Sequence, residues 1–310
     1  MQKKMREEGK KRWQRSVRSG LLLILAILLV ALVGCDMSRA EATRQMSQGM
    51  AAFSGGDTPT AISHMEAALE ADPGFAEAAY YLGQIYQMRA NDLEQAARNY
   101  RRALDLDSTN ARYAYRLASV LALQDKHEEA IQHFQIALEH EPEYARAWFS
   151  KGRSLDAIGE FNEAVTAYSR AIELNPRLRM AADDPGGEHY HALGDLYLRF
   201  RLFDHAARVY ENGSANNRNS PRLFHGHGVA LLQLGRYAEA VEVFESTLEV
   251  APRHGSANYN LVVALRGAGE RERAIAQGER LLETGAGLNE ARQRAVQAML
   301  TDLREEEEDL

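Results

Sequence analysis

Cysteine is nearly absent from this sequence. A single thiol, Cys35, occurs in 310 residues, so no intramolecular disulfide forms and stability rests on packing. Long apolar runs are missing too. The longest, Leu21 to Val33, has 13 residues, fewer than the about 20 a helix needs to cross a hydrocarbon core. Catalytic signatures are lacking: there is no glycine-flanked serine elbow, no phosphate loop closing on Lys-Ser/Thr and no His-Glu-x-x-His. "GHG" at 226–228 and "GAG" at 267–269 lack the strand and spacing of a dinucleotide loop. His127, His133 and His140 are six and seven residues apart, whereas a helix offers a metal neighbours at i and i+4. The pairs His189/His191 and His225/His227 are two apart and point to different faces of a helix. The sequence predicts no enzyme, no catalytic residue, no metal and no cofactor.

What is present begins at the N-terminus. Residues 1–34 hold eight Lys/Arg and two Glu, so removing them takes the formal charge from −7 to −13. Such an acidic body repels nucleic acid phosphates, and no nucleic acid partner is expected. A basic segment followed by a short apolar run has the layout of an export signal. The run ends in Leu32-Val33-Gly34-Cys35, which resembles a bacterial lipobox. In that family lipid is attached to the cysteine and the chain is cut before it. The resemblance implies that Cys35 is the lipid attachment site and that acyl chains hold the mature chain on a membrane. Asp36 resembles an inner-membrane retention signal and weakly favours that membrane. An uncleaved membrane anchor is the alternative.

From residue 42 on, one spacing repeats. In residues 145–178, Trp148, Gly152, Leu155, Ala164, Tyr168, Ala171 and Pro176 fall at positions 4, 8, 11, 20, 24, 27 and 32 of a 34-residue unit. The same register sets units at 42–75, 76–110 (with one extra residue in its turn), 111–144, 145–178, 187–220, 221–254 and 255–288. Glycine recurs at position 8 in five units although it costs a helix about 1 kcal/mol against alanine. Small residues at 8, 20 and 27 therefore predict a close helix crossing, large ones at 4, 7, 11 and 24 fill the space around it, and proline at 32 stops the second helix.

This pattern resembles the tetratricopeptide repeat, a helix–turn–helix unit whose copies stack. The resemblance implies an all-α fold, a right-handed superhelical solenoid of about seven units with a C-terminal capping helix. Unit seven has Gly278 in place of the aromatic and no proline, as at an array end. The expected segments are a signal peptide at 1–34, a tether at 35–41, units one to four at 42–178, an insertion at 179–186, units five to seven at 187–288, a capping helix at 289–303 and a solvated acidic tail at 304–310. The insertion, rich in turn formers, reads as a hinge or as a local packing irregularity. The six residues between Cys35 and unit one span at most about 20 Å, which keeps the solenoid at the membrane.

In the family, positions 2, 5, 9 and 12 of each first helix line a concave groove. Position 5 carries Met46, Tyr80, Tyr115, Phe149, His191, His225 and Tyr259, position 2 adds Arg112, Arg146 and Arg222, and position 9 adds Arg153. The expected peptide-binding residues are Tyr80, Arg112, Tyr115, Arg146, Phe149, Arg153, His191, His225 and Tyr259, with Arg112 to Arg153 forming a basic aromatic patch; tyrosine at position 5 also serves packing. Family members that clamp a chaperone C-terminus carry lysine at 5 and asparagine at 9, which this chain lacks. The expected role is an envelope scaffold or adaptor facing the periplasm, lipid-anchored and holding a protein or peptide partner. A non-catalytic subunit of an envelope enzyme or secretion complex would look alike. The layout is similar to that of pilotin-like lipoproteins of type IV pilus assembly, a likeness of architecture alone.

Overall fold

The computed structural model describes residues 37–180 and 186–308, with side chains to residue 305. The signal segment, Cys35 and residues 181–185 of the insertion lie outside the described residues. Among those described there are fifteen α-helices and no strand. No described helix is long and apolar enough to cross a membrane.

The chain divides between Gln124 and Asp125 into two compact units. The first holds α1 (37–55), α2 (Thr58–Ala71), α3 (Ala76–Ile85), α4 (Leu93–Leu106) and α5 (Ala111–Leu123). The second holds α6 (His127–His140), α7 (Ala145–Ala157), α8 (Phe161–Leu174), α9 (Glu188–Arg199), α10 (Phe203–Asn216), α11 (Pro221–Gln233), α12 (Tyr237–Val250), α13 (Gly255–Gly267), α14 (Arg271–Thr284) and α15 (Glu290–Glu308). Odd-numbered helices from α1 to α13 are the first helices of the repeats and even-numbered ones the second. Residue 37 is already helical, so most of the stretch expected as a tether is the opening turn of α1. At the other end, α15 runs on through residues assigned to a solvated tail.

The second helices are uniform, 14 residues each from α2 to α14. Four stop immediately before proline, with Asp72, Glu141, Asn175 and Ala251 as C-caps. Where proline is missing another device replaces it. Gly285 ends α14 at φ 58°, a left-handed conformation that costs glycine little. Asn217 caps α10, and its side-chain amide donates to the carbonyls of Gly213 and Pro176, both at 3.2 Å. The extra residue of unit two is absorbed as a π-turn, Tyr86–Ala90, at the end of α3, closed by Asn91 at φ 51°.

The core follows the register. Alanine at position 20 is 0% exposed in all seven units: Ala61, Ala96, Ala130, Ala164, Ala206, Ala240 and Ala274. The side chain at position 24 fills the glycine at position 8 of its own unit. A methyl group on Gly152 would sit 2.6 Å from the Tyr168 ring, on Gly194 2.5 Å from Tyr210 and on Gly228 2.6 Å from Phe244. Glycine is thus needed here to seat a ring, which a Cβ would displace. The insertion does not interrupt the core: Leu178 before it and Leu193 and Leu196 after it join Phe149, Tyr168 and Ala171 in one buried cluster.

Candidate functional site

The first helices α7, α9 and α11 stand side by side in the second unit and bound a cleft of about 620 Å³. Its residues follow the register. Phe149, Arg153 and Asp156 come from positions 5, 9 and 12 of unit four. Glu188, His191, Asp195 and Leu198 come from positions 2, 5, 9 and 12 of unit five, and Arg222 from position 2 of unit six. Successive helical turns place 2, 5, 9 and 12 on one face, so the cleft is a property of the repeat and its side chains set its chemistry.

That chemistry is charged and largely self-paired. Arg199 of α9 reaches Asp156 of α7 at 2.5 Å, and Arg222 of α11 reaches Glu188 of α9 at 2.7 Å. The Tyr210 hydroxyl donates to Asp195 at 2.5 Å, and the other Asp195 oxygen lies 3.2 Å from His191 Nδ1. Burial pushes the His191 imidazole below its ordinary pKa, Asp195 opposes this and Arg222 adds to it, so the ring is neutral at pH 7. Burial, reinforced by Asp195, raises the Tyr210 hydroxyl and keeps it a donor. Arg153 is exposed and has no carboxylate partner among the described residues. The cleft therefore offers one uncommitted cation, polar walls built from fixed ion pairs, and an apolar stretch at Ala192 and Leu198.

The structure places the residues expected from the sequence in different surroundings, and Phe149 serves both cleft and core. Phe149, Arg153 and His191 belong to the cleft. Tyr80, Tyr115 and Phe149 are buried, at 5%, 8% and 2% exposure, so position 5 there is packing. Tyr80 lies 5.6 Å from Tyr100, and Phe149 lies 5.8 Å from Tyr168, in each case the position-24 ring of the same unit. His191 with Tyr210 and His225 with Phe244 repeat the pairing at 6.1 and 6.0 Å. His225 turns toward His254, 4.9 Å away, and Asn260. Tyr259 lies under the Arg292 guanidinium at 5.8 Å. Arg146 donates to the Arg179 carbonyl at 3.0 Å, outside the cleft. Arg112 and Tyr115 belong to the first unit and Arg146, Phe149 and Arg153 to the second. Asp156, Glu188, Asp195 and Leu198 were not singled out, although their positions mark them as groove residues. Arg199, at position 13, carries no such mark.

The described residues include no group of three His, Cys, Asp or Glu able to hold a metal. No serine, threonine or cysteine is among the residues that line the cleft.

Comparison with known proteins agrees with the fold. The type IV pilus assembly protein PilF of Pseudomonas aeruginosa is 29% identical over 222 residues, covering 66% of this chain and 83% of PilF. The tetratricopeptide repeat-containing protein trd-1 of Caenorhabditis elegans is 24% identical over 60% of this chain, which spans 22% of that protein's length. Tetratricopeptide repeat protein 13 of Homo sapiens is matched over 20% of its length, so the chain spans about a fifth of these larger relatives. Among solved structures, that of Pseudomonas aeruginosa PilF superimposes with a TM-score of 0.54 at 21% identity, over 73% of this chain and 98% of PilF. YrrB, described as a tetratricopeptide protein with an unusual peptide-binding site, gives 0.51 at 22% identity over 62% of this chain and 95% of YrrB. The profile of the tetratricopeptide repeat matches residues 46–87, 85–139, 126–179 and 225–289, and the chain belongs to the tetratricopeptide repeat family.

Proposed function

We propose that this chain is a lipid-anchored adaptor of the bacterial cell envelope that holds a peptide segment of a partner protein in the cleft between α7, α9 and α11. The observation that carries the reading is the cleft itself, about 620 Å³, lined by positions 2, 5, 9 and 12 of successive first helices. Ion pairs between neighbouring helices fix its walls before any ligand arrives, which lowers the ordering cost of binding. Arg153 gives an incoming chain one charge to meet, and Ala192 and Leu198 give it apolar surface.

The envelope assignment rests on Cys35 and the residues before it, together with the likeness to PilF, a type IV pilus assembly protein matched over 83% of its length. With residue 37 helical, two residues separate the end of the expected signal from the repeat array. They reach about 7 Å when extended, so a lipid at Cys35 would hold the array against the bilayer.

Two variants test the halves separately. Cys35→Ser is expected to abolish lipid labelling and processing while the repeats stay folded; unchanged processing defeats the anchor. Ala192→Trp fills the cleft and is expected to abolish co-purification of the partner from solubilised envelopes without changing labelling. Undiminished co-purification defeats the groove.

A further inference from the structure

The outer surface of the second unit carries two further clefts, built at the same repeat positions. One, of about 490 Å³, is lined by Trp148, Lys151, Thr166 and the buried Ala167. The other, of about 500 Å³, exposes Phe224, His227, Glu242 and Val243. These are positions 4, 7, 22 and 23 of units four and six. In four other units position 7 is leucine, and Leu82, Leu117, Leu193 and Leu261 are 4, 0, 3 and 4% exposed. Units four and six place a basic residue there beside an aromatic one.

The two clefts differ in their walls. In unit four the Lys151 ammonium donates to Gln135 at 2.6 Å and lies 5.5 Å from the Trp148 ring centre, so its charge is already engaged. In unit six the wall is acidic. α12 has four glutamates and no lysine or arginine in 14 residues. Two of them are ion-paired: Glu239 with Arg236 and Glu245 with Arg273, both at 2.5 Å, Arg273 also holding Glu270. The two that face the cleft, Glu242 and Glu249, have no ion pair among the described residues, and neither does Glu211 of α10 on the opposite wall. Arg218 is the cleft's single arginine. Burial lowers the His227 pKa and leaves that ring uncharged at pH 7. Between the carboxylates lies an apolar floor of Phe224, Val243 and Val250, the last 43% exposed.

An apolar floor between unpaired carboxylates complements a basic chain with an apolar anchor. We propose that the cleft between α10 and α12 is a second docking site, on the face opposite the inner cleft, for a lysine- or arginine-rich segment of a partner protein. The segment sets one apolar side chain on Phe224 and Val243 and its cations against Glu211, Glu242 and Glu249. The other two α12 carboxylates are engaged by arginines and these are not, so the unpaired charge of the helix lies at this cleft.

The test uses the full chain and a fluorescently labelled amphipathic leucine–lysine peptide, followed by anisotropy. The unaltered chain is expected to bind it, and to bind more weakly as salt rises. The double variant Glu242→Lys/Glu249→Lys is expected to weaken binding by about ten-fold or more. The charge-matched control Glu272→Lys/Glu283→Lys on α14, and Ala192→Trp in the inner cleft, leave it unchanged. Equal weakening in the α14 control would mean that net charge alone attracts the peptide, and overturns the proposal. So does equal affinity for a leucine–glutamate counterpart, affinity indifferent to salt, or loss of binding in Ala192→Trp.

Discussion

Units four and seven are built from the same helix pair and close it in opposite ways. In unit four the second helix supplies the bulk. Tyr168, 1% exposed, fills the space over Gly152 and carries Phe149 on its ring. In unit seven the sizes are exchanged: the first helix has Val262 at position 8 and the second has Gly278 at position 24. The vacated space goes to the next helix. A methyl on Gly278 would lie 2.8 Å from Leu300 of α15, and Leu300 shares a buried cluster with Val262, Leu281 and Val296. The same helix places Arg292 over Tyr259, where unit four has its pair of rings. An inner unit is thus closed from within and the last one by its cap. What looks degenerate in the sequence of unit seven is a seat for α15.

Removing the ring of unit four has the largest expected effect. Tyr168→Ala is expected to cost about 3–5 kcal/mol and to loosen Phe149, read as a lower denaturant midpoint and faster amide exchange in α7 and α8. Leu300→Ala should cost less, about 2–4 kcal/mol, with the added exchange confined to α13, α14 and α15. Uniform loss of protection across the second unit would remove the distinction between an inner and a closing unit.

The two glycines give a finer contrast. Gly152→Ala drives a methyl to 2.6 Å from a ring held on all sides, and about 1–3 kcal/mol is expected. Gly278→Ala meets the far end of a leucine on the terminal helix, which can shift. Its cost is expected to stay under about 1 kcal/mol, partly offset by the better helix propensity of alanine. Matched thermal melts decide, and equal costs would contradict the account.

A pH-dependent effect separates position 5 of units four and six. Phe149 does not titrate, but burial, with His254, Arg292 and His191 adding to it and Asp195 opposing, lowers the His225 pKa to about 4. The unfolded ring binds its proton near pH 6.5. Stability from this group is therefore present above pH 6.5 and is lost as pH falls toward 4, because the unfolded state takes up the proton first. Discounted for partial exposure, this is about 1–2 kcal/mol. His225→Asn should flatten the melting temperature between pH 6.5 and 4, whereas Phe149→Leu should leave its slope unchanged.

Most of the fold was legible because its determinants are local and repeated. The alanine at 20, the ring at 24 and the proline at 32 announce a helix pair wherever they recur, and Gly152 with Tyr168 shows why the first helix tolerates glycine. Less of the site could be read. The register identifies the inner face, but it does not reveal that a position-5 ring lies on the position-24 ring of its own unit, which hides Tyr80 and Phe149 and leaves Arg153 in the open. Asp156, Asp195 and Leu198 stood at groove positions and were overlooked in favour of aromatic side chains. Arg199 was out of reach, since its place depends on how far a side chain at position 13 extends to the neighbouring helix. Gly278 could be understood only with α15 beside it.

The proposed partner segment lies between α7, α9 and α11. A photoreactive residue at Ala192, compared in intact cells with one at Glu173 on α8, tests it most directly. One envelope protein crosslinked through Ala192 and none through Glu173 is expected. Equal capture at both sites, or capture at Glu173 alone, would contradict it.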